Sequence, residues 1–226
     1  MSQTSQTGNH KPNRDKLVAY LLMGAFVLVS IFLIIFQFIR GETGFAVRGF
    51  LFPIFLFIPP IFKKLGLNHS WRLYIFGYLF IIFAFNYGCI YGVFTWDQTI
   101  DKVSHFISGF LFTILGLCFY CVFSGPAREG LRAPTAMAAS WALGFSSFIA
   151  VFWEVLEFFD YNILGNDSQK HLTTGVFDTM YDLICCLIGT VLSILSFILW
   201  RKKGIKLLTG WICEEFFAVN GGERKK

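Results

Sequence analysis

Charged residues are scarce in this chain of 226 residues: they make up 15% of the sequence and fall in clusters between long apolar runs. Soluble domains typically carry about 25% charged residues. Hydrophobic residues account for 55% of the chain, and 29 residues are phenylalanine. This composition excludes an ordinary soluble domain and predicts a protein whose solvent and partner is the lipid bilayer.

Two further features are missing. No soluble segment carries a basic stripe with interleaved aromatic residues, which argues against binding to nucleic acid. The six cysteines do not suggest a disulfide framework, because five lie inside apolar runs, where a thiol behaves as a small apolar group. Cys118 and Cys121 match the C-x-x-C pattern, but their lipid-embedded setting favours packing over redox or metal chemistry.

Apolar runs long enough to cross a bilayer predict an all-α, polytopic transmembrane bundle of six spans. Four runs are clear: Leu17–Ile39, Trp71–Phe94, Val103–Phe123 and Ala136–Phe159. A fifth, Leu183–Trp200, follows a polar lead-in that starts at Asp178. The remaining candidate, Phe45–Phe62, contains Arg48 and three prolines. A kinked helix and a re-entrant segment both fit that stretch.

The distribution of basic residues predicts the orientation. Six spans with both termini in the cytoplasm place fifteen of the nineteen basic residues inside, as the positive-inside rule requires. The sequence therefore predicts a multi-pass protein of the cytoplasmic membrane with residues 17–200 as its transmembrane domain. Residues 1–16 are predicted to be a disordered cytoplasmic segment. Residues 201–226 are predicted to be a basic cytoplasmic tail, in which Ile205–Val219 forms either an interfacial helix or an exposed tail.

Acidic residues concentrate at the predicted outer side, which receives nine of the fourteen. Three pairs of polar residues lie three or four positions apart and so share a helix face: Asp101 and His105, Glu154 and Glu157, Asp178 and Asp182. Small and polar residues continue each face inward, as is typical of helix–helix contacts in membranes. We therefore expect the pairs to meet in one pocket beneath the outer surface.

Several carboxylates in such a pocket are costly, and nearby basic residues such as Lys102 and Lys170 are few. Either some carboxyls are protonated or a divalent metal ion is bound; oxygen ligands with one imidazole suit Mg, Mn, Fe or Zn. The predicted metal ligands are Asp178, Asp182 and Glu157. The predicted catalytic residues are Asp101, His105, Glu154 and Glu157. The alternative is a purely structural polar cluster, which explains the glutamates poorly because they lie near a helix C-terminus.

Three ordered motifs carry a resemblance to a known family: Asp101-Lys102-x-x-His105-Phe106-x-x-Gly109, Trp153-Glu154-x-x-Glu157-Phe158 and Gly175-x-x-Asp178-Thr179-x-x-Asp182. Over the last four spans the chain resembles the YjdF-like bacterial membrane proteins, which implies topology and motif positions rather than a reaction. It departs from that pattern where Thr174-Gly175-Val176-Phe177 stands in place of a Gln-Gly-x-x-Trp stretch. A more distant similarity to VanZ-like proteins, which are linked to glycopeptide resistance, implies a role in the cell envelope.

Three kinds of function fit these features, and the oligomeric state stays open. The first is a metal-assisted enzyme acting on a lipid-linked substrate at the outer leaflet, with His105 as acid/base and Asp101 orienting it. Known lipid-phosphate motifs are missing, namely Pro-Ser-Gly-His, Ser-Arg-x5-His and Asp-Gly-x-x-Ala-Arg. The second is a cation-coupled carrier, for which no inverted repeat is evident. The third is a non-catalytic scaffold or membrane subunit.

Overall fold

The computed structural model describes residues 12–124, 134–165 and 167–220, and within these ranges the chain forms helices, turns and loops without a strand. Six helical segments are long and apolar enough to cross a membrane: Arg14–Ile39, Thr43–Lys64, Trp71–Ile90, Gln98–Tyr120, Thr135–Ile163 and Phe177–Lys203. The predicted all-α bundle of six spans is confirmed, and it implies a lipid bilayer environment. Most of the N-terminal segment predicted to be disordered lies outside the described residues, as does the end of the tail.

The helices follow one another in an up-and-down order. The first three spans are built from α1 (Pro12–Ile39), then α2 (Thr43–Gly49), α3 (Pro53–Leu56) and α4 (Ile58–Lys64), then α5 (Trp71–Ile81) with a π-helix at Ile82–Ile90. After a 3₁₀ turn at Val93–Thr95, the last three spans are α6 (Gln98–Phe123), α7 (Thr135–Phe159) with a π-helical end at Asp160–Leu164, and α9 (Phe177–Lys203). Two helices do not span: α8 (His171–Thr174) and α10 (Leu208–Asn220).

Alternating spans give the bundle two distinct ends. At the end where α1, α5 and α7 begin, called here the termini end, Arg72 of α5 lies 3.7 Å from Asp15 of α1. At the opposite end, called the site end, the side chain of Gln37 donates a 2.7 Å hydrogen bond to the carbonyl of Ile90. The helices α6 and α9 begin at the site end.

The second span is helical but interrupted. Pro53 opens α3 and Pro59 lies in the first turn of α4, positions where the missing N–H of proline costs little. Between these helices, short bonds such as Phe57 N–H to the Ile54 carbonyl, at 3.2 Å, satisfy the backbone. The segment runs from Arg48 at the site end to Phe62, whose ring packs against Phe119 near the termini end. This geometry is that of a kinked helix rather than of a re-entrant segment.

A close three-helix unit of α6, α7 and α9 forms the centre of the fold. A Cβ atom on Gly116 of α6 would lie 3.1 Å from the Cα atom of Ala142, so α6 and α7 touch through small residues. The hydroxyls of Ser146 on α7 and Thr190 on α9 lie 2.7 Å apart in a fully buried contact. Small residues allow such close packing where apolar side chains gain little over lipid.

The helix α10 packs against protein at the termini end. Ile212 and Phe216 are completely buried, and the ring of Phe217 stacks on Trp200 at the end of α9 with centroids 5.9 Å apart. On the same predicted face, Ile205 and Leu208 are 45% and 38% exposed. The sequence left an interfacial helix and an exposed tail open, and the structure gives a helix with one face on the bundle.

Polar bonds fix this docked position. Glu215 accepts hydrogen bonds from the Ser70 hydroxyl at 2.7 Å and from the Arg72 backbone N–H at 2.8 Å, and so it caps the start of α5. The side chain of the neighbouring Glu214 is 37% exposed and pairs with Lys206 at 2.7 Å. The hydrogen bond from Lys206 lowers the pKa of Glu214 below its usual value.

Candidate functional site

The start of α6 is set by a helix cap. The side chain of Asp97 accepts hydrogen bonds from the backbone N–H groups of Thr99 at 2.9 Å and Ile100 at 3.2 Å. This cap satisfies donors that would otherwise lack partners in the first turn. It fixes the beginning of the helix at Gln98, so that Asp101 and the residues after it enter the bundle at the site end.

Lys102 of α6 connects the acidic residues of two helices. Its ammonium lies 2.5 Å from Asp178 Oδ1, within 2.9 Å of both oxygens of Asp182, and 3.6 Å from Asp101 Oδ2. Asp178 and Asp182 of α9 are only 2% and 1% exposed. Because a buried carboxylate is costly without a partner, this lysine is the main compensating charge of the site.

Three potential metal ligands converge beside Lys102. Ligand atoms of Asp101, His105 and Asp182 all lie within 4.8 Å of one another. The Nε2 atom of His105 is 3.8 Å from Asp101 Oδ1 and 3.7 Å from Asp182 Oδ1. Two ligands of a tetrahedral zinc ion with bonds of about 2.1 Å are roughly 3.4 Å apart. The two distances from His105 exceed this value by a few tenths of an ångström, so the three residues can hold one divalent ion after they move closer together.

The sequence predicted Asp178, Asp182 and Glu157 as metal ligands, and only Asp182 also belongs to this trio. That ligand set stays a prediction. Asp178 is held by Lys102, and Glu157 of α7 accepts a 2.8 Å hydrogen bond from the indole N–H of Trp153. The difference arises because Lys102 extends from α6 between the two aspartates of α9, a tertiary contact that helical spacing does not reveal.

Glu154 belongs to the same end of the bundle. It is 5% exposed, and the side-chain amide of Gln169 donates to its backbone carbonyl at 2.9 Å and to Oε2 at 3.4 Å. The other oxygen, Oε1, is buried without a hydrogen-bond partner among the described residues, and the same holds for Oδ2 of Asp178. Oδ1 of Asp182 also has no hydrogen bond among the described residues, so the site contains three buried acceptor atoms that they leave unsatisfied.

The connection between α7 and α9 covers the site. Asp167 accepts hydrogen bonds from the backbone N–H groups of His171 at 2.8 Å and Leu172 at 3.1 Å, which starts α8. Immediately before that helix, Lys170 adopts a left-handed φ of 50°. A residue other than glycine holds such a conformation only when surrounding contacts enforce it. In this position the Lys170 ammonium lies 3.7 Å from Asp101 Oδ2.

The structure thus brings together most of the residues that the sequence singled out. Asp101 and the two aspartates of α9 surround Lys102, and His105 lies beside Asp101 and Asp182. At the same end of the bundle, Glu154 contacts Gln169. Glu157 lies on the same helix and is half-buried. Sequence reasoning gave Lys102 and Lys170 a general compensating role and overlooked Gln169. The signal available for Lys102 was its place beside Asp101 in the first motif, since a lysine within a span needs an acidic partner.

One family model matches the chain over nearly all of the membrane-spanning bundle. A family model described as "Predicted membrane protein (DUF2238)" matches residues 19–203, which include all the site residues named above. No curated protein and no solved structure matches the chain. The chain belongs to this family of predicted membrane proteins.

Proposed function

We propose that the protein is a metal-assisted membrane enzyme that acts on a lipid-linked substrate at the outer leaflet. The observation that carries this proposal is the convergence of Asp101, His105 and Asp182, whose ligand atoms lie within 4.8 Å of one another at the site end. Two carboxylates and an imidazole form a donor set that suits zinc, manganese or iron. The purely structural alternative would hold the imidazole by hydrogen bonds to the acids, whereas Nε2 of His105 lies 3.8 Å from Asp101 and 3.7 Å from Asp182, beyond hydrogen-bond distance.

The bound ion would supply Lewis acidity: it would polarise a phosphoryl or carbonyl oxygen, or activate a water molecule. If His105 is a ligand, it no longer serves as the acid/base suggested by the sequence. That role passes to the glutamates of α7. Glu154 is the better placed, because its Oε1 atom has no hydrogen-bond partner among the described residues. Within hydrogen-bond reach of a substrate, a carboxyl of this kind can transfer a proton.

The depth of the site suits a substrate that lies in the membrane surface. The candidate ligands occupy the first turns of α6 and the start of α9, not the midplane of the bundle. Exposed aromatic side chains lie at the same end, including Trp96, Trp153 and Tyr91. Amphipathic rings of this kind are enriched at the level of lipid headgroups. A headgroup can therefore approach the site without leaving the bilayer.

We further propose that the site end faces outward and that the protein resides in the cytoplasmic membrane. The basic residues at the termini end support this orientation, among them Lys63, Lys64 and the run Arg201-Lys202-Lys203. The resemblance to YjdF-like proteins, and more distantly to VanZ-like proteins, supports a role in the cell envelope.

A lipid profile tests the proposed reaction. A strain that lacks the protein should accumulate an envelope lipid, and the wild-type chain should remove it. The variant Asp182→Asn should fail to do so, whereas Glu42→Gln, a change of an exposed acid at the same end, should succeed. A strain whose lipids are unchanged by deletion would contradict the enzymatic role.

A cation-coupled carrier is the second candidate, and one feature favours it. The second span is broken into three helices and the third continues as a π-helix, arrangements that often mark places where helices rearrange. Uptake by vesicles that contain the purified protein, driven by an ion gradient and lost in Asp182→Asn, would favour the carrier. If deletion causes no lipid to accumulate and the vesicles show no uptake, the results would favour a non-catalytic scaffold.

A further inference from the structure

One oxygen of the site is shared between a lysine and the candidate metal ligands. Oδ1 of Asp182 lies 2.8 Å from the Lys102 ammonium and 3.7 Å from Nε2 of His105. A metal ion bound by His105 and Asp182 would need this oxygen or its neighbour. The same lysine lies 3.6 Å from Asp101, the third ligand. Lys102 and a metal ion therefore compete for the same carboxylates.

We propose that Lys102 determines the cation specificity of the site, as a tethered competitor that excludes monovalent cations and yields only to a divalent ion. This inference rests on the proposed function, since it concerns the ion bound by Asp101, His105 and Asp182. The tether gives the ammonium a high effective concentration at the aspartates without any loss of translational freedom. A sodium or potassium ion brings the same charge as the ammonium and so gains nothing by replacing it.

A divalent transition-metal ion differs from sodium in two respects that matter here. It brings twice the charge to Asp101 and Asp182. It also forms a coordinate bond with the imidazole of His105, to which an ammonium ion can at most donate a hydrogen bond. Hard ions that prefer oxygen alone, such as calcium, gain little from the imidazole. The site should thus favour zinc, manganese or iron over calcium and over any monovalent ion.

The structure provides Lys102 with a place to remain when the ion binds. Its shortest contact, at 2.5 Å, is with Asp178, a residue outside the metal-binding trio. Oδ2 of Asp178 is buried and has no hydrogen-bond partner among the described residues, so it can accept a second bond from the same ammonium. Binding of the ion would therefore move Lys102 from Asp182 towards Asp178 and leave each of the three aspartates with a cation.

The competing view is that Lys102 only neutralises the aspartates and has no effect on selectivity. The two views differ for the variant Lys102→Gln. In a passive role, loss of the lysine only removes a nearby positive charge, which strengthens the binding of a divalent ion more than that of Na⁺ and so does not reduce the selectivity. In a competing role, the same change also removes the cation that keeps Na⁺ out, so the binding of divalent ions strengthens and a response to Na⁺ appears.

Metal-dependent thermal stabilisation of the full-length protein in detergent separates the two. We would measure Tm against added Zn²⁺, Mn²⁺, Ca²⁺ and Na⁺ for the wild type, Lys102→Gln, and Lys64→Gln as an exposed control at the other end. We expect the Kd of Lys102→Gln for Zn²⁺ and Mn²⁺ to fall by at least about tenfold, because the ion no longer has to displace an ammonium group from the aspartates. It should also gain a response to Na⁺ that the wild type lacks. Lys64→Gln should match the wild type.

The outcomes distinguish this inference from the function on which it rests. If the wild type binds Zn²⁺ or Mn²⁺ and Lys102→Gln either binds it no more tightly or gains no response to Na⁺, the competitor role is wrong while the metal site stands. If neither folded protein responds to any divalent ion, the metal site itself is wrong. If Lys102→Gln folds only when a divalent ion is supplied, the competition is supported; a folding defect that no divalent ion corrects contradicts it.

Discussion

Gly109 of α6 lies against Gly189 of α9 so closely that a Cβ atom on either glycine would collide with a backbone carbonyl oxygen. For Gly109 the obstacle is the carbonyl of Cys186, and for Gly189 it is the carbonyl of Phe106. This crossing lies about two turns below Asp101 and Asp182. It sets the separation at which the side chain of Lys102 reaches both aspartates of α9.

Replacement of Gly189 by alanine should therefore disturb the site as well as the fold. The added methyl group forces the two backbones apart, and such overpacking costs about 1–3 kcal/mol. We expect a lower Tm in detergent and weaker metal-dependent stabilisation. Gly144→Ala on α7 is the matched control, because its Cβ would have no atom within 4 Å. Equal effects of the two substitutions would mean that the close crossing of α6 and α9 is not needed.

A second prediction concerns the docking of α10. Glu215→Ala removes the acceptor for the Ser70 hydroxyl and the Arg72 N–H, and loss of a helix cap costs about 0.5–2 kcal/mol. We expect a lower free energy of unfolding and faster hydrogen exchange in the first turn of α5. A Glu215→Ala protein with wild-type exchange there would show that the cap is dispensable.

The neighbouring substitution Glu214→Ala serves as its control. Glu214 is 37% exposed, so its pair with Lys206 contributes about 0–1 kcal/mol after screening by solvent. Because its pKa is lowered in the folded protein, that contribution is present above the pKa of the unfolded chain and is lost as pH falls through the lowered value. The small difference between Glu214→Ala and the wild type should thus disappear in acid.

The sequence predicted the six spans because length and hydropathy alone determine which segments a bilayer can hold. It also predicted that Asp101, His105, Asp178 and Asp182 face inward, since helical spacing and small neighbours define those faces. It could not predict that Lys102 lies between Asp178 and Asp182, because a flexible side chain finds its partners only after α6 and α9 have packed. The contact of Gln169 with Glu154 depends on a loop conformation and was missed for the same reason.

Orientation in the membrane is a third prediction, and it can be tested by labelling. Leu172 at the site end is 69% exposed and Leu65 at the termini end is 39% exposed. In a cell, Leu172→Cys should react with a membrane-impermeant maleimide added outside. Leu65→Cys should react only after the membrane is permeabilised. Labelling of the wild-type chain provides the background, and a reversed pattern would place the site in the cytoplasm.

The metal content of the purified protein decides whether Asp101, His105 and Asp182 form a metal centre. The wild type and Glu42→Gln should each retain about one zinc, manganese or iron ion per chain after extensive dialysis, since three converging protein ligands bind such an ion tightly. Asp182→Asn should retain none while keeping its helical content. A wild type without metal, or an Asp182→Asn variant that holds as much as the wild type, would contradict a metal centre at Asp101, His105 and Asp182.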